Sequence, residues 1–167
     1  GARAGSTLRV HVLDIRPADR GILPVRSYMG LVREAVNERL CRIVKYEAGQ
    51  VWINSEVALP ARPMIGTIGV AVPGHGEPAA MPGSHGGNLD NNWISPGAVV
   101  DFPVFVDGAL MGIGDVHAAM GDAEATCAGI DIQSEVVVRV ESLDRPPLVQ
   151  SPVVHRDGFM VTHGIGR

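Results

Sequence analysis

The chain has 167 residues, 46% of them hydrophobic and 19% charged, enough apolar material for one packed domain and too little charge for a disordered segment. A net charge of −4 with Lys and Arg scattered rather than massed excludes a basic nucleic-acid face and any broad attraction to anionic membranes. Gly (21) and Pro (12) without a Gly-X-Y period exclude collagen and favour a turn-rich β protein with little helix.

In chain order, Thr7 to Ile15 alternates Leu8, Val10 and Val12 against Arg9 and His11, a strand that should end at the turn signal Arg16-Pro17. Leu31, Ala35, Val36 and Leu40 fall on one side of a helix, and Leu40 to Tyr46 alternates as a strand. Glu47 to Gln50 then turns into Val51-Trp52-Ile53, a hairpin pair. Further strands are expected over Ile65 to Val72, Ala98 to Val106, Ala109 to Val116, Ala123 to Ile132 and Glu135 to Val140. Val153 to His155 and Gly158 to His163, joined by Arg156-Asp157, close the chain. Short strands at this spacing without intervening helices predict a β-sandwich or a partly open barrel. Residues 73–96 are the one long stretch without strand character, and loops of that length are usually functional or disordered. Thirteen of the 21 glycines lie between Gly66 and Gly129, so the excess is concentrated around this loop.

The chemistry concentrates in two segments. The 73–96 loop contains Gly83-Ser84-His85-Gly86-Gly87-Asn88-Leu89-Asp90, where paired glycines allow a tight turn beside an imidazole and a carboxylate. Gly114-Asp115-Val116-His117 follows; on a strand end, Asp115 and His117 share one face, and Asp122 and Glu124 repeat the relation beyond Gly121. Imidazole with carboxylates is a ligand set for a divalent cation such as zinc, and a neighbouring carboxylate can act as general base. His75 and His85 read as loop residues, His85 the stronger site candidate for its glycine neighbours; His11, His155 and His163 read as structural or exposed. Cys127 reads as a small buried hydrophobe in an apolar strand, and neither it nor Cys41 has CxxC spacing, so a disulfide framework has no support and a cytoplasmic location is expected. Ser84 lacks a GxSxG elbow, and no phosphate-binding glycine motif is present. No apolar run nears the ~20 residues that a bilayer span needs.

Four segments in order, GARAGSTLRVHVLDI at the start, PMIGTIGVA (63–71), HGGNLDN (85–91) and PVFVDGALMGIGDVHAAMGDAE (103–124), resemble the acetamidase/formamidase family. The resemblance implies a mainly β, jelly-roll-like sandwich, hydrolysis of simple amides to ammonia and a carboxylate, and a bound divalent metal, zinc first and calcium second. It places His85, Asp90, Asp115, His117, Asp122 and Glu124 on shared positions. It also implies that residues 1–167 form a single β domain from the middle of a longer amidase, assembling as a homo-oligomer. The resemblance and the clustering together give a role to each residue. Asp90 and His117 are the expected metal ligands, with Asp115 or else Glu124 completing the shell. Glu124, or else Asp122, is the expected base, His85 orients the amide carbonyl, and Gly86, Gly87 and Asn88 form the substrate and oxyanion loop. Ala123, where many relatives have Gly, and Trp93 after the loop are departures that would reshape the pocket. The competing readings are a non-catalytic β-sandwich holding a structural cation, and a cupin-like metalloenzyme, against which His117 lacks a second histidine two residues away.

Overall fold

The structure, a computed structural model, describes residues 1–165 apart from Tyr28, Val32, Val36 and His75; the expectations for Val36 and His75 therefore lie outside the described residues. The chain is mainly β, as expected. Its strands are β1 (Thr7–Val25), β2 (Leu40–Glu47), β3 (Gln50–Trp52), β4 (Ala58–Pro60), β5 (Met64–Gly69), β6 (Gly86–Asn88), β7 (Val99–Pro103), β8 (Gly112–His117), β9 (Asp131–Leu143), β10 (Val153–Arg156) and β11 (Phe159–Thr162). Hydrogen bonding joins them into one 11-stranded sheet with the path β11-β10-β7-β1-β9-β8-β5-β6, from which β2, β3 and β4 branch off β1.

β1 organises the whole. Its first half lies between β7 and β9 and its second half is shared by β9 and β2. The strand does not stop at Pro17, because the register shifts between Val12 and Asp14 and again between Pro17 and Gly21, and bulges accommodate a proline that a regular ladder would reject. The first shift also explains the burial pattern: Leu8, Val10 and Val12 alternate, yet the next core residue is Ile15, three positions on, while Leu13 turns outward. One inserted residue moves the apolar side chains back to the core face. The core gathers these residues with Ile65, Ile68, Val100, Phe102, Val116 and Val154.

Several expected elements differ. Among the described residues, the helical stretch expected from Leu31 to Leu40 shows a 3-10 turn at Arg33–Ala35, with Leu31 84% and Leu40 56% exposed. The strand expected over Ala123 to Ile132 exists only as the first two residues of β9; before it the chain turns, with positive φ at Glu124 and Cys127, so Cys127 is a half-buried turn residue rather than a strand hydrophobe. The strand expected from Ala109 begins only at Gly112 because Ala109 and Leu110 also take positive φ. The 73–96 loop is interrupted by β6, which pairs with β5, and β4 carried no sequence signal. The Ala48-Gly49 turn between β2 and β3 forms as expected, whereas the turn between β10 and β11 falls at Asp157-Gly158, one residue beyond the expected Arg156-Asp157; each has positive φ at both residues. No helix among the described residues is long and apolar enough to cross a membrane.

Candidate metal centre

His117 ends β8. It stands directly across from Met64 on β5 and from Asp131, the first residue of β9, so three strands converge on one imidazole whose side chain is only 4% exposed. Asp115 lies two residues earlier on the same strand and on the same face. Its φ of +55° distorts the ladder where Gly66 lies across from it. Asp90 arrives from the other side: the Leu89 and Asp90 amides both donate to the Gly66 carbonyl, and Asp90 takes a φ of +43°.

The ligand atoms of Asp90, Asp115 and His117 lie within 4.8 Å of one another. Nε2 of His117 is 3.4 Å from Asp90 Oδ1 and 3.6 Å from Asp115 Oδ2. A relay of side chains orients Asp90: Thr67 Oγ1 donates to Asn88 Oδ1 at 2.7 Å, and Asn88 Nδ2 donates to Asp90 Oδ2 at 2.6 Å. The other oxygen, Asp90 Oδ1, is buried with no hydrogen-bond partner, as are both nitrogens of His117. Buried polar atoms left unpaired cost on the order of 1–3 kcal/mol each, and those of Asp90 and His117 Nε2 face one another. Gly66 completes the cradle, since a Cβ there would come within 2.8 Å of both Asp115 Oδ2 and Asp90 Oδ1. Two carboxylates and an imidazole converging on a space kept free of side chain form a donor set suited to a divalent cation.

The electrostatics agree with that reading. Burial pushes the His117 imidazole down, but the carboxylates of Asp90, Asp115 and Asp131 outweigh it and hold the ring above its ordinary pKa. Burial, and then the charge on Asp90, raises the Glu124 carboxyl. Asp131 is raised by its own burial, an effect the neighbouring His117 offsets in part. Glu124 sits in a turn closed by its amide donating to the Gly121 carbonyl and feels the trio without joining it.

The remaining expected residues separate. Asp122 turns away, accepting from Asn92 Nδ2 at 3.0 Å, and lines a neighbouring cavity of about 680 Å³ with Arg62, Trp93 and Arg156. His85 is 6% exposed, with both ring nitrogens unpartnered, and its ring is enclosed by Gly83 and Gly87, where added Cβ atoms would come within 2.6 and 2.9 Å of it; it is not one of the three converging residues. The Gly86 amide donates to the Gly83 carbonyl at 3.0 Å, and Gly86 to Asn88 pair with β5. That removes the Gly86 amide from the donors the loop was expected to offer a ligand. Sequence reasoning missed Asp131, whose Oδ1 is 3.2 Å from His117 Nδ1, and the roles of Gly66 and Thr67. Only strand register reveals the first, while the last two sat in view within the PMIGTIGVA segment.

A family model described as the Acetamidase/Formamidase family matches residues 22–146. The chain belongs to the acetamidase/formamidase family. Among curated relatives of this family, a formamidase of Methylophilus methylotrophus is 31% identical over 102 residues, covering 54% of this chain and 25% of the relative. An acetamidase of Mycolicibacterium smegmatis is 32% identical over 72 residues, or 42% and 18% of the two chains. Among solved structures, a recombinant predicted acetamidase/formamidase from Thermoanaerobacter tengcongensis superposes with a TM-score of 0.90 at 39% identity, covering 94% of this chain and 52% of the other. An acetamidase from Bacillus halodurans gives 0.90 at 38% identity, with coverage of 94% and 53%. The chain thus spans about half the length of these solved relatives and a quarter or less of the curated ones.

Proposed function

We propose that this chain carries the hydrolytic site of a metal-dependent amidase acting on small linear amides of the formamide and acetamide type. The observation that carries the reading is the convergence of Asp90, Asp115 and His117 with unpaired buried atoms facing one another. The names of the relatives support the reaction class. Zinc is the cation of choice, because an imidazole donor suits it better than calcium, which takes six to eight oxygens. When bound, zinc supplies Lewis acidity and lowers the pKa of a coordinated water.

The protein's own groups do the rest. Asp90, Asp115 and His117 hold the cation, and the Thr67–Asn88 relay keeps Asp90 aimed. Glu124, whose carboxyl burial holds above its ordinary value, takes a proton from the attacking water and returns it to the nitrogen as the C–N bond breaks, so that amide and water leave as carboxylic acid and ammonia. Its position beside the trio favours it over Asp122, which belongs to the neighbouring cavity. A cavity of about 500 Å³ opens on Asp115 and Asp131, with Gly21, Ile22, Ile43 and Ile132 in its wall; these isoleucines suit a short acyl chain. His85 acts by holding the Gly83–Gly87 turn in shape rather than by proton transfer. Among the described residues β11 and β6 end the sheet without a further strand, which supports assembly with further strands, as in a homo-oligomer.

The test is ammonia release from formamide and acetamide by the zinc-loaded protein, with Glu124→Gln alongside. Turnover should fall by about 10²-fold or more in the variant with zinc retained. Unchanged turnover would remove Glu124 from the base role, and absence of turnover in the parent protein would remove the amidase reading.

A further inference from the structure

The two nitrogens of His117 face different carboxylates. Nε2 points to Asp90 Oδ1 and Asp115 Oδ2, 3.4 and 3.6 Å away, whereas Nδ1, on the other side of the ring, has Asp131 Oδ1 at 3.2 Å. A cation reached by Nε2 is out of reach of Nδ1, and Asp131 accordingly stands outside the converging group of ligand atoms. We propose that Asp131 is a positioning residue: it accepts the Nδ1–H of His117 and so fixes the tautomer whose Nε2 lone pair is turned towards Asp90 and Asp115. The proposal deepens the metal-centre reading above and, for its effect on zinc, rests on it.

The fold builds this pair deliberately. Asp131 and His117 are the direct cross-strand partners through which β8 meets β9, and the register is locked just beyond them, where the Ala118 amide donates to the Ile130 carbonyl and the Ile130 amide to that of Ala119. Directly paired residues in an antiparallel ladder put their side chains on the same face at short range, so the two side chains must meet. Gly129 makes room for the ring: a Cβ there would come within 2.0 Å of Nδ1 and 2.6 Å of Cγ, so the imidazole packs directly against bare backbone. Among the described residues Nδ1 has no hydrogen-bond partner in place, and Asp131 Oδ1, at 3.2 Å on a side chain 34% exposed, stands at the distance of one. Left without an acceptor, a neutral imidazole has no reason to hold its proton on Nδ1, and a proton on Nε2 would block the lone pair that a metal needs.

The experiment pairs two readouts on the purified protein and on Asp131→Ala and Asp131→Asn. The first is the ¹⁵N signature of the His117 ring in chelator-treated protein at a pH where the ring is neutral. The second is zinc affinity by competition with a chromogenic chelator. The parent should show Nδ1–H. Asp131→Ala should lose that tautomer and bind zinc about 10- to 100-fold more weakly, and Asp131→Asn, whose amide oxygen still accepts a hydrogen bond, should restore most of both. Should Asp131→Ala not fold, Asp131→Val, which suits a strand better, serves in its place. An unchanged tautomer with zinc affinity within about two-fold of the parent overturns the proposal. So does loss of zinc with the tautomer intact, which would make Asp131 a ligand. If the parent binds no zinc while the tautomer still follows Asp131, the metal reading fails and the positioning role stands.

Discussion

Gly66→Ala is the most direct test of the cradle. The backbone at Gly66 is not left-handed, so alanine meets no torsional penalty and the effect is steric alone. A Cβ there would lie 2.6 Å from the Asp115 carbonyl oxygen and 2.8 Å from both Asp115 Oδ2 and Asp90 Oδ1. Carbon and oxygen need more than 3 Å, so each of three oxygens from two elements must retreat by several tenths of an ångström. None can do so freely: the carbonyl belongs to β8, Asp115 Oδ2 lies within 3.3 Å of Thr67 Oγ1 and Asp90 is held by Asn88. Overpacking of this kind costs about 1–3 kcal/mol, which for a chain of this size lowers Tm by roughly 2–12 °C. The two carboxylates are forced apart at the same time, so zinc affinity falls with stability. Gly112→Ala on the neighbouring strand β8 is the control, with nothing within 4 Å of the added carbon, and should stay within about 0.5 kcal/mol of the parent. Differential scanning calorimetry with and without zinc reads both quantities. A Gly66→Ala protein with parental Tm and parental zinc affinity would refute the cradle geometry.

Other expectations follow from the same structure. His117→Ala removes the nitrogen donor, and zinc content by elemental analysis should fall to background; full retention would remove His117 from the ligand set. Arg9 pairs across β1 and β7 with Asp101 through Nε–Oδ1 at 2.7 Å and Nη2–Oδ2 at 2.8 Å. Burial alone would raise the Asp101 carboxyl, but the Arg9 hydrogen bonds and charge hold it below the ordinary carboxylate range. A depressed folded-state pKa contributes stability that is present above the unfolded value, near 3.9, and is lost as the pH falls through the folded one. Arg9→Met should abolish or reverse that acid-limb slope and cost about 1–3 kcal/mol at neutral pH, measured by urea unfolding across pH. Glu124 is raised by burial and then by Asp90; zinc at the trio offsets the Asp90 and Asp115 charges, so its NMR titration midpoint should move down on zinc addition, and a midpoint that stays put would separate Glu124 from the metal centre.

How much of this was legible beforehand divides along a physical line. Local signals read well: the β1 alternation, the β2–β3 and β10–β11 turns, and the same-face relation of Asp115 to His117 all follow from spacing along one strand. The His117–Asp131 contact depends instead on which residue of one strand faces which of another, information that bulges at Val12 and Pro17 and a one-pair junction of β8 with β9 rewrite. The strand expected from Ala123 to Ile132 hides Asp131 near its end, whereas the backbone turns at Glu124 and Cys127 and leaves Asp131 as the first residue of β9. The glycine excess is the instructive case. The sequence ties the excess to tight backbone turns around the 73–96 loop, yet Gly66 lies within β5 and Gly129 just before β9, where neighbouring side chains need the space: Gly66 leaves room for two carboxylates and Gly129 for an imidazole ring. A glycine within or next to an apolar strand therefore asks what stands over it, and here the answer in both instances is a residue of the candidate metal centre.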